Sequence, residues 1–548
     1  MKDFRTCLKG LAAMGRPLRG RILVSWIIGV VRIAASMAFV WVCKALVDIA
    51  TGELFAPLGL YVGIMVGIML VQVVSSVAYS WWEGKISAAT GNEFRARVFG
   101  HVLNSEWNGR EAFHTGDMVN RLEEDTRVVV DLLCSRVPDF LVTMVQLLAA
   151  SAYLFFLEPS LLWVLLILMP VAAIGSKMFF KTIRSLTSHI RAKESEIQGH
   201  MQEHLQQRVL VKTLGCSDKV EEKLGDLQQD VMDTTVRRLN YNAAARSFLR
   251  VGFMAGYAAA FLWGVFGIKA GTVTFGMMTA FLQLVGQVQR PITDISRHIP
   301  AFIHSLTSVE RILELMELPP EAEGEDIVFN DAPGVRLDDV SFAYSDVPDG
   351  MEPQPVFEHF SYDFKPSTVT AIMGVTGVGK STLMRLVLAL LRPTEGSVAL
   401  YSGDRSVPVS PATRCNFRYV PQGNSLMSGT VRDNLLLANP SATEEEMREA
   451  LHLAVADFVL DLPDGLDTVC SEKGSGLSEG QAQRIAIARA LLHPGGVLIL
   501  DEATSALDRE TEDTLLERLS KKISGGKTII WITHRESVTS IADAVLKI

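Results

Sequence analysis

The sequence predicts a membrane domain built only from α-helices, with six spanning segments, followed by an α/β domain of the P-loop type. Two observations predict this order: six apolar stretches lie before residue 300, and a glycine-rich loop with a phosphate-binding pattern starts at Gly374. A mean hydropathy of +0.24 over 548 residues also favours a membrane protein. We expect the membrane domain at residues 1–317, a linker rich in Pro, Glu and Asp at 318–331, and the α/β domain at 332–548.

The apolar segments are separated by alternately short and long connections. Buried helices of a soluble protein would not be expected to show this alternation. The first segment follows a basic stretch and is too long for the apolar core of a signal peptide. The long connections, after the second and fourth segments, are rich in Arg and Lys, whereas the short ones carry almost none, Lys269 being the exception. The positive-inside rule therefore predicts a cytoplasmic N-terminus and a cytoplasmic α/β domain. The segments run approximately over residues 22–49, 56–82, 140–157, 161–176, 251–268 and 273–289.

The charge is distributed unevenly along the chain. Residues 1–320 hold 32 Lys and Arg against 27 Asp and Glu, and the rest holds 20 against 34. An acidic α/β half argues against nucleic acid as a partner, because a phosphate backbone is bound by basic surfaces. The six cysteines show no C-x-x-C spacing, so we expect buried free thiols rather than a disulfide framework or a zinc site.

The glycine-rich loop, residues 374–381, reads G-V-T-G-V-G-K-S and fits the pattern G-x-x-x-x-G-K-[ST] at every fixed position. It follows a strand-like apolar run, residues 369–373, and precedes a helical pattern of leucines and valine. The glycines let backbone N–H groups turn toward phosphate oxygens, and the new helix directs its positive end at the same charge. The surroundings therefore support a phosphate-binding loop.

Three later stretches extend this motif into a complete set. Residues 497–502 are an apolar run ending in Asp501 and Glu502, residues 477–481 read L-S-E-G-Q, and residues 528–534 form an apolar strand ending in Thr533 and His534. They resemble the Walker B strand, the signature loop and the switch histidine of ATP-binding-cassette (ABC) proteins. The resemblance extends from about Val335 to Ile548. It also includes a Q-loop, Tyr419-Val420-Pro421-Gln422, and a D-loop, Ser505-Ala506-Leu507-Asp508.

The resemblance implies a site that binds ATP and Mg²⁺ and hydrolyses ATP. Glu502 would be the general base for the attacking water, and His534 would contact the γ-phosphate or orient that water. Gln422 would sense the γ-phosphate. Without the other motifs, Gln422 would be interpreted as an ordinary surface glutamine and His534 as an ordinary histidine at the end of a strand. Tyr344 would stack on adenine, with core packing as the alternative. The implied metal ligands are Ser381, Gln422 and Asp501, and the other nucleotide contacts are Gly374, Thr376, Gly377, Gly379, Lys380, Ser381, Thr382, Ser478, Gly480 and Gln481.

The signature departs from the family's usual L-S-G-G-Q because Glu479 replaces a glycine. In this family the signature of one subunit closes over ATP held by the other. A carboxylate in the signature would therefore either lie near the γ-phosphate bound by the partner subunit and repel it, or point to solvent. The chain is either a homodimer with two working sites or the competent half of a heterodimer. We favour the homodimer because symmetric dimers are the common case.

The membrane half resembles ABC exporters. Residues 113–122 and 211–214 resemble the family's two coupling regions, and one cassette with six spanning segments makes half a transporter. The resemblance implies ATP-driven export or lipid flipping of a hydrophobic or amphipathic small molecule, lipid or peptide by two half-transporters in a plasma membrane, with a bacterial inner membrane favoured. A non-transporting regulator and an importer on the same scaffold are the alternatives. Arg32, inside the first segment, either faces a cavity, and there an anionic head group, or snorkels to the membrane interface or pairs with another helix.

Overall fold

The computed structural model describes residues 4–107, 115–322, 324–344, 354–375, 377–470, 476–523 and 526–548. The chain divides into two compact units. We call Met1–Phe99 with Val119–Met316 the helical unit, and Gly100–Met118 with Glu317–Ile548 the α/β unit. The described residues 100–107 and 115–118 thus group with the C-terminal part of the chain.

Long helices account for the N-terminal part, as the sequence predicts. Each of the six predicted apolar segments lies largely within one of these helices. In chain order they are α1 Phe4–Gly15, α2 Arg19–Ala50, α3 Leu58–Leu103, α4 Thr115–Asn120, α5 Thr126–Asp131, α6 Val137–Leu157, α7 Pro159–Lys177, α8 Phe180–Gln206, α9 Arg208–Leu214, α10 Ser217–Ala270 and α11 Phe275–Met316.

Four helical stretches of the described chain are long and apolar enough to cross a membrane. The predicted fourth segment is represented by a shorter apolar helix, Pro159–Leu168, and the sixth, in α11, is not among the four. Gln283, Gln287 and Gln289 lower the hydropathy of α11, which explains why composition alone does not select it. The four stretches are Arg5–Ala50, Leu58–Leu103, Gly116–Leu157 and Ser217–Ala270.

The helix that runs through α4, α5 and α6 contains two π-helical turns, Arg121–Asp125 and Leu132–Arg136. The first turn carries a buried charge cluster. Arg121 donates to a Glu314 carboxylate oxygen at 2.7 Å, and Asp125 lies 3.6 Å from the guanidinium of Arg311. These pairs join the π-helical turn to the last part of α11.

The core of the helical unit forms where α2, α6, α7, α10 and α11 meet. Its fully buried side chains include Leu154, Leu165 and Phe281. Glycines allow α10 to approach α11 closely: a Cβ added at Gly264 would lie 2.7 Å from the Met278 side chain. Small residues commonly serve this purpose between membrane helices.

Arg32 lies against a neighbouring helix. Its guanidinium carbon is 4.9 Å from the ring centroid of Tyr79 on α3, a cation–π contact. The Tyr79 hydroxyl in turn donates to Asp139 at 2.7 Å. Pairing with another helix, one of the alternatives for Arg32, therefore accounts for the observed contact.

The strands of the α/β unit are β1 Gly334–Ala343, β2 Pro355–Phe364, β3 Val369–Met373, β4 Glu395–Ser402, β5 Arg405–Pro408, β6 Phe417–Val420, β7 Gly429–Thr430, β8 Val469–Cys470, β9 Val497–Asp501, β10 Thr528–Ile532 and β11 Ala544–Lys547. They form a four-stranded antiparallel sheet, in the order β2-β1-β4-β5, a five-stranded parallel sheet, in the order β11-β3-β10-β9-β6, and the short pair β7-β8. The helices are α12 Lys380–Val387, α13 Val431–Leu436, α14 Glu444–Leu453, α15 Glu479–Leu492, α16 Arg509–Ile523 and α17 Glu536–Thr539.

The parallel sheet positions the predicted site. β9 and β10 are buried at every residue, which explains their continuous apolar sequences. Because β3, β6, β9 and β10 are parallel, their carboxyl ends meet at one edge of the sheet, where α/β proteins bind ligands.

The predicted linker, residues 318–331, packs on the α/β unit. Glu321 pairs with Arg414, and the Phe329 N–H donates to the side-chain oxygen of Asn416 at 2.8 Å. Phe329 is buried. The described residues of this segment thus include side chains that pack against the α/β unit.

The cysteines form no disulfide. Cys7, Cys134 and Cys470 are buried, as expected, whereas the other three are partly exposed. The prediction of free thiols is confirmed, and the prediction that they are all buried is wrong.

Candidate functional site

The phosphate loop connects β3 to α12 by a tight turn that only glycine makes without strain. Gly377 and Gly379 have φ angles of +90° and +110°. A Cβ at Gly379 would also lie 2.7 Å from the Val356 side chain. The loop thus directs the N-terminus of α12 toward the carboxyl edge of the sheet. Thr376, a predicted nucleotide contact, lies outside the described residues.

Lys380 is buried at the start of α12. Its ammonium donates to the carbonyl oxygens of Gly374 and Val375, at 2.7 and 3.2 Å, and lies 3.1 Å from Nε2 of His534. The lysine predicted to contact phosphates is therefore held at the mouth of the loop, with the neighbouring Ser381 exposed.

Asp501 ends β9 and is buried. The Tyr419 hydroxyl donates to its carboxylate at 3.3 Å. Burial raises the pKa of Asp501, because the charged form loses hydration, and the neighbouring Glu502 carboxylate raises it further. A nearby cation would favour the charged form, so the residue fits the metal-ligand role predicted for it.

Glu502 has a left-handed backbone conformation, with φ of +48°. For a residue with a side chain this conformation costs on the order of 1 kcal/mol. Its N–H donates to the carbonyl of Ile532 at 3.1 Å, which ties the strained residue to β10. Such strain at the end of a strand is typical of functional sites.

Three predicted catalytic residues meet at Glu502. Gln422 donates to one carboxylate oxygen at 2.7 Å, and His534 Nε2 lies 3.1 Å from the other. These residues follow β6, β9 and β10, so the sheet itself brings them together. His534 Nε2 donates to Glu502 when it carries a proton and accepts from Lys380 when it does not.

The signature residues form the start of α15. The Ser478 hydroxyl accepts from the Gln481 N–H at 3.2 Å, while the Gln481 side chain accepts from the Ser478 N–H at 2.9 Å. This reciprocal cap fixes the helix start. None of the described hydrogen bonds of Ser478, Gly480 and Gln481 reaches the phosphate loop or Glu502, so the chain alone does not join these two parts of the predicted site.

Arg535, which the sequence analysis did not select, holds the D-loop. Its guanidinium donates to the carbonyl oxygens of Ser505 and Leu507, at 3.2 and 2.9 Å, and to Glu512 at 2.8 Å. The Glu512 side chain is 2 % exposed. The position of Arg535 directly after His534 is the signal that would have identified it.

The signature helix holds the same D-loop from the other side. The buried Gln483 donates to the Ser505 hydroxyl at 3.1 Å and accepts from the Ala506 N–H at 3.2 Å. A Cβ at Gly480 would lie 2.8 Å from the Ala506 carbonyl oxygen. A buried glutamine among the alanines of α15 is the sequence signal for this contact.

Tyr344 is fixed by its hydroxyl group, which lies 2.9 Å from the Thr382 hydroxyl and accepts from Arg385 at 3.3 Å. The Arg385 guanidinium also lies 4.6 Å from the ring centroid of Trp107. The Tyr344 ring meets Phe342 edge-on. Stacking of Tyr344 on adenine stays a prediction.

Comparison with known proteins agrees with this architecture. The family described as "ABC transporter transmembrane region" matches residues 22–292, and that described as "ABC transporter" matches residues 357–505. The chain belongs to the ABC transporters, and its α/β unit is the ATP-binding domain of an ATPase coupled to transport.

Two relatives match nearly the whole chain. A Bacillus subtilis (strain 168) protein, provisionally named as a multidrug export ATP-binding/permease protein, is 26% identical over 97% of this chain and 92% of its own. An ATP-dependent lipid A-core flippase of Desulfotalea psychrophila is 27% identical over 88% of this chain and 84% of its own.

A solved structure shares the fold. A bacterial Atm1-family ABC exporter with ATP bound has a TM-score of 0.78 and 22% identity, covering 97% of this chain and 93% of its own. The predicted fold class, a helical membrane domain followed by an α/β ATP-binding cassette, is confirmed.

Proposed function

We propose that this protein is an ATP-driven exporter or lipid flippase that moves a hydrophobic or amphipathic substrate across a plasma membrane. The observation that carries the proposal is the meeting of Gln422, Glu502, His534 and Lys380 in a chain whose described residues also include four long apolar helices. The names of the two relatives, one for multidrug export and one for lipid flipping, support a substrate of this class.

The site residues have separable roles. Glu502 accepts the proton of the attacking water, because its carboxylate follows β9 at the same edge of the sheet as the phosphate loop, and Gln422 and His534 hold it in place. The N–H groups of residues 374–379 and the ammonium of Lys380 hold the phosphates, with help from Ser381 and Thr382. Tyr344 holds the adenine ring.

Mg²⁺ fits the donors present. The carboxylate of Asp501, the hydroxyl of Ser381 and the side chain of Gln422 are oxygen donors at the carboxyl edge of the sheet, and Mg²⁺ in ATPases takes one or two carboxylates plus phosphates. When bound, the ion neutralises charge that develops on the phosphates. Burial of Asp501 favours such a cation, because an isolated charge there is poorly hydrated.

A second half-transporter completes the site. Ser478, Gly480 and Gln481 lie on α15 without a described bond to the phosphate loop, so they are available to ATP held by another copy. We favour a homodimer over a heterodimer, since closed symmetric pairs are the common case. The lipid bilayer surrounds the helical unit, and the N-terminus and cassette lie in the cytoplasm, as the basic connections indicate.

The first experiment measures Mg²⁺-dependent ATP hydrolysis by the full chain, purified alone into lipid nanodiscs. Glu502→Gln keeps the size and hydrogen-bonding shape of the side chain but removes the base, so turnover is expected to fall by about 10²-fold or more, with ATP binding retained. If the wild type hydrolyses ATP and Glu502→Gln does not, the result supports a homodimer that needs no other subunit. Well-folded protein that binds ATP without hydrolysing it argues for a missing partner subunit.

The second experiment measures movement of substrate. Proteoliposomes containing the protein are loaded with a fluorescent phospholipid or a hydrophobic cationic dye, and transfer is followed with ATP on the cassette side. ATP-dependent transfer away from the cassette, lost in Glu502→Gln, supports export. Hydrolysis without transfer favours a regulator, and transfer in the opposite direction favours an importer.

A further inference from the structure

A second cavity lies at the edge of the parallel sheet opposite the phosphate loop. It is open to solvent on one side, has a volume of about 270 Å³ and is lined by residues of α14, α15 and α16 and by the first residues of β6 and β9. Its walls are mostly apolar and include Leu453, Leu491, Leu498 and Leu519. None of the residues assigned to ATP lines it.

Two basic side chains reach this cavity from the amino-terminal ends of the strands. Arg418, in β6, donates to the carbonyl oxygens of Gly495 and Leu491, at 2.5 and 3.0 Å. Lys527, just before β10, donates to the same Gly495 carbonyl at 3.3 Å. Within the described parts of the chain neither cation has a carboxylate partner. Two positive charges therefore share one neutral oxygen.

The electrostatics of this arrangement favour an anion. Burial lowers the pKa of Arg418 to about 10, because its charged form loses hydration. Burial also lowers the pKa of Lys527, and the positive charge of Arg418 adds to that effect. A negative group between the two cations would reverse both shifts, since it stabilises the charged forms.

The opposite wall of the cavity carries two acidic residues, Glu446 and Glu449. The carboxylate of Glu446 is engaged with the start of α14: it accepts from the Thr443 N–H at 2.7 Å and from the Thr443 hydroxyl at 2.9 Å. The cavity is thus basic at one end, apolar along its walls and acidic at its other side.

We propose that this cavity binds a small amphipathic carboxylate, with an apolar body about the size of a phenyl ring and a short alkyl chain. The carboxylate lies between Arg418 and Lys527, and the apolar body lies among the leucines. The site is independent of the ATP site, which occupies the other edge of the sheet.

The test uses the full chain in nanodiscs with saturating Mg-ADP, which blocks the phosphate loop. The probe is 4-(4-fluorophenyl)butyrate, whose ¹⁹F line width is compared with that in empty nanodiscs. The wild type is expected to broaden the line, and Arg418→Gln and Lys527→Gln are each expected to weaken binding tenfold or more. Arg448→Gln, on the exposed face of α14 and paired with Glu444, is the matched control and binds the probe normally.

Two analogues test the charge requirement. The neutral amide and the amine of the same skeleton are not expected to displace the carboxylate. The proposal is overturned by broadening no greater than in empty nanodiscs, by displacement with the amine, or by unchanged affinity in variants that still bind ADP. Because Arg418 also holds the end of α15, Lys527→Gln decides the outcome if Arg418→Gln loses ADP binding.

Discussion

Arg535→Met should destabilise the ATP-binding domain through a residue that touches no nucleotide. The substitution removes the partner of Glu512, whose side chain is 2 % exposed, and leaves that carboxylate with the Ser537 hydroxyl, 3.2 Å away. Breaking a buried ion pair costs about 3–5 kcal/mol, and the lower value applies because Arg535 is partly exposed. For a domain of this size, about 3 kcal/mol lowers Tm by roughly 6–12 °C.

The assay is thermal unfolding of the full chain in detergent with Mg-ADP, followed by near-UV circular dichroism. The double variant Arg535→Met/Glu512→Leu removes both charges and is expected to recover at least half of the loss. Arg448→Met, which breaks an exposed pair with Glu444, should change Tm little. A loss no larger than that of Arg448→Met, or no recovery in the double variant, refutes the account of Glu512.

Two further substitutions test the site. The raised pKa of Asp501 means that the folded domain without Mg²⁺ holds this proton more tightly than the unfolded chain, so the contribution of Asp501 to stability falls as pH rises above about 4. Asp501→Asn should therefore be more stable than the wild type, by a larger margin at pH 7 than at pH 4.5, while losing Mg²⁺-dependent hydrolysis; an equal margin at both pH values contradicts this. Glu479→Gly should raise the rate of ATP hydrolysis several-fold in nanodiscs, because it removes a carboxylate whose repulsion of the ATP phosphates is about 1 kcal/mol. Unchanged or slower hydrolysis shows that Glu479 points away from ATP.

The meeting of the proposed catalytic residues was predictable because its sequence signals are local. Glu502 and His534 each end a continuous apolar run, and Lys380 stands in a loop whose glycines have one structural purpose. Parallel strands deliver their carboxyl ends to a single edge, so three separated motifs define one site without any knowledge of the loops between them.

The contacts that support the centre were not predictable in the same way. Arg535 meets Glu512 and the D-loop through the packing of α16 against the sheet, which no short pattern encodes. Arg385 joins Tyr344 to Trp107, although Trp107 lies about half of the sequence length earlier in the chain. Such pairs depend on tertiary geometry, and either partner alone resembles an ordinary surface residue.

The helical unit shows the limit of hydropathy. Composition selects four stretches, but α11 buries Phe281, Leu284 and Val288 within the core although its glutamines lower its mean hydropathy. What makes α11 part of the bundle is one apolar face, and that face is recognised only once its neighbours are known.

The two π-helical turns between α4 and α6 have a geometric consequence. A π-helical turn holds one residue more than the regular spiral, so every side chain beyond it is rotated by about 100° round the axis. The inward face near Arg121 and the inward face of α6 therefore belong to different residue series, and no single period connects them. If one of these π-helical turns became regular α-helix, the helix beyond it would rotate about its axis relative to the helix before it and would present different side chains to its neighbours.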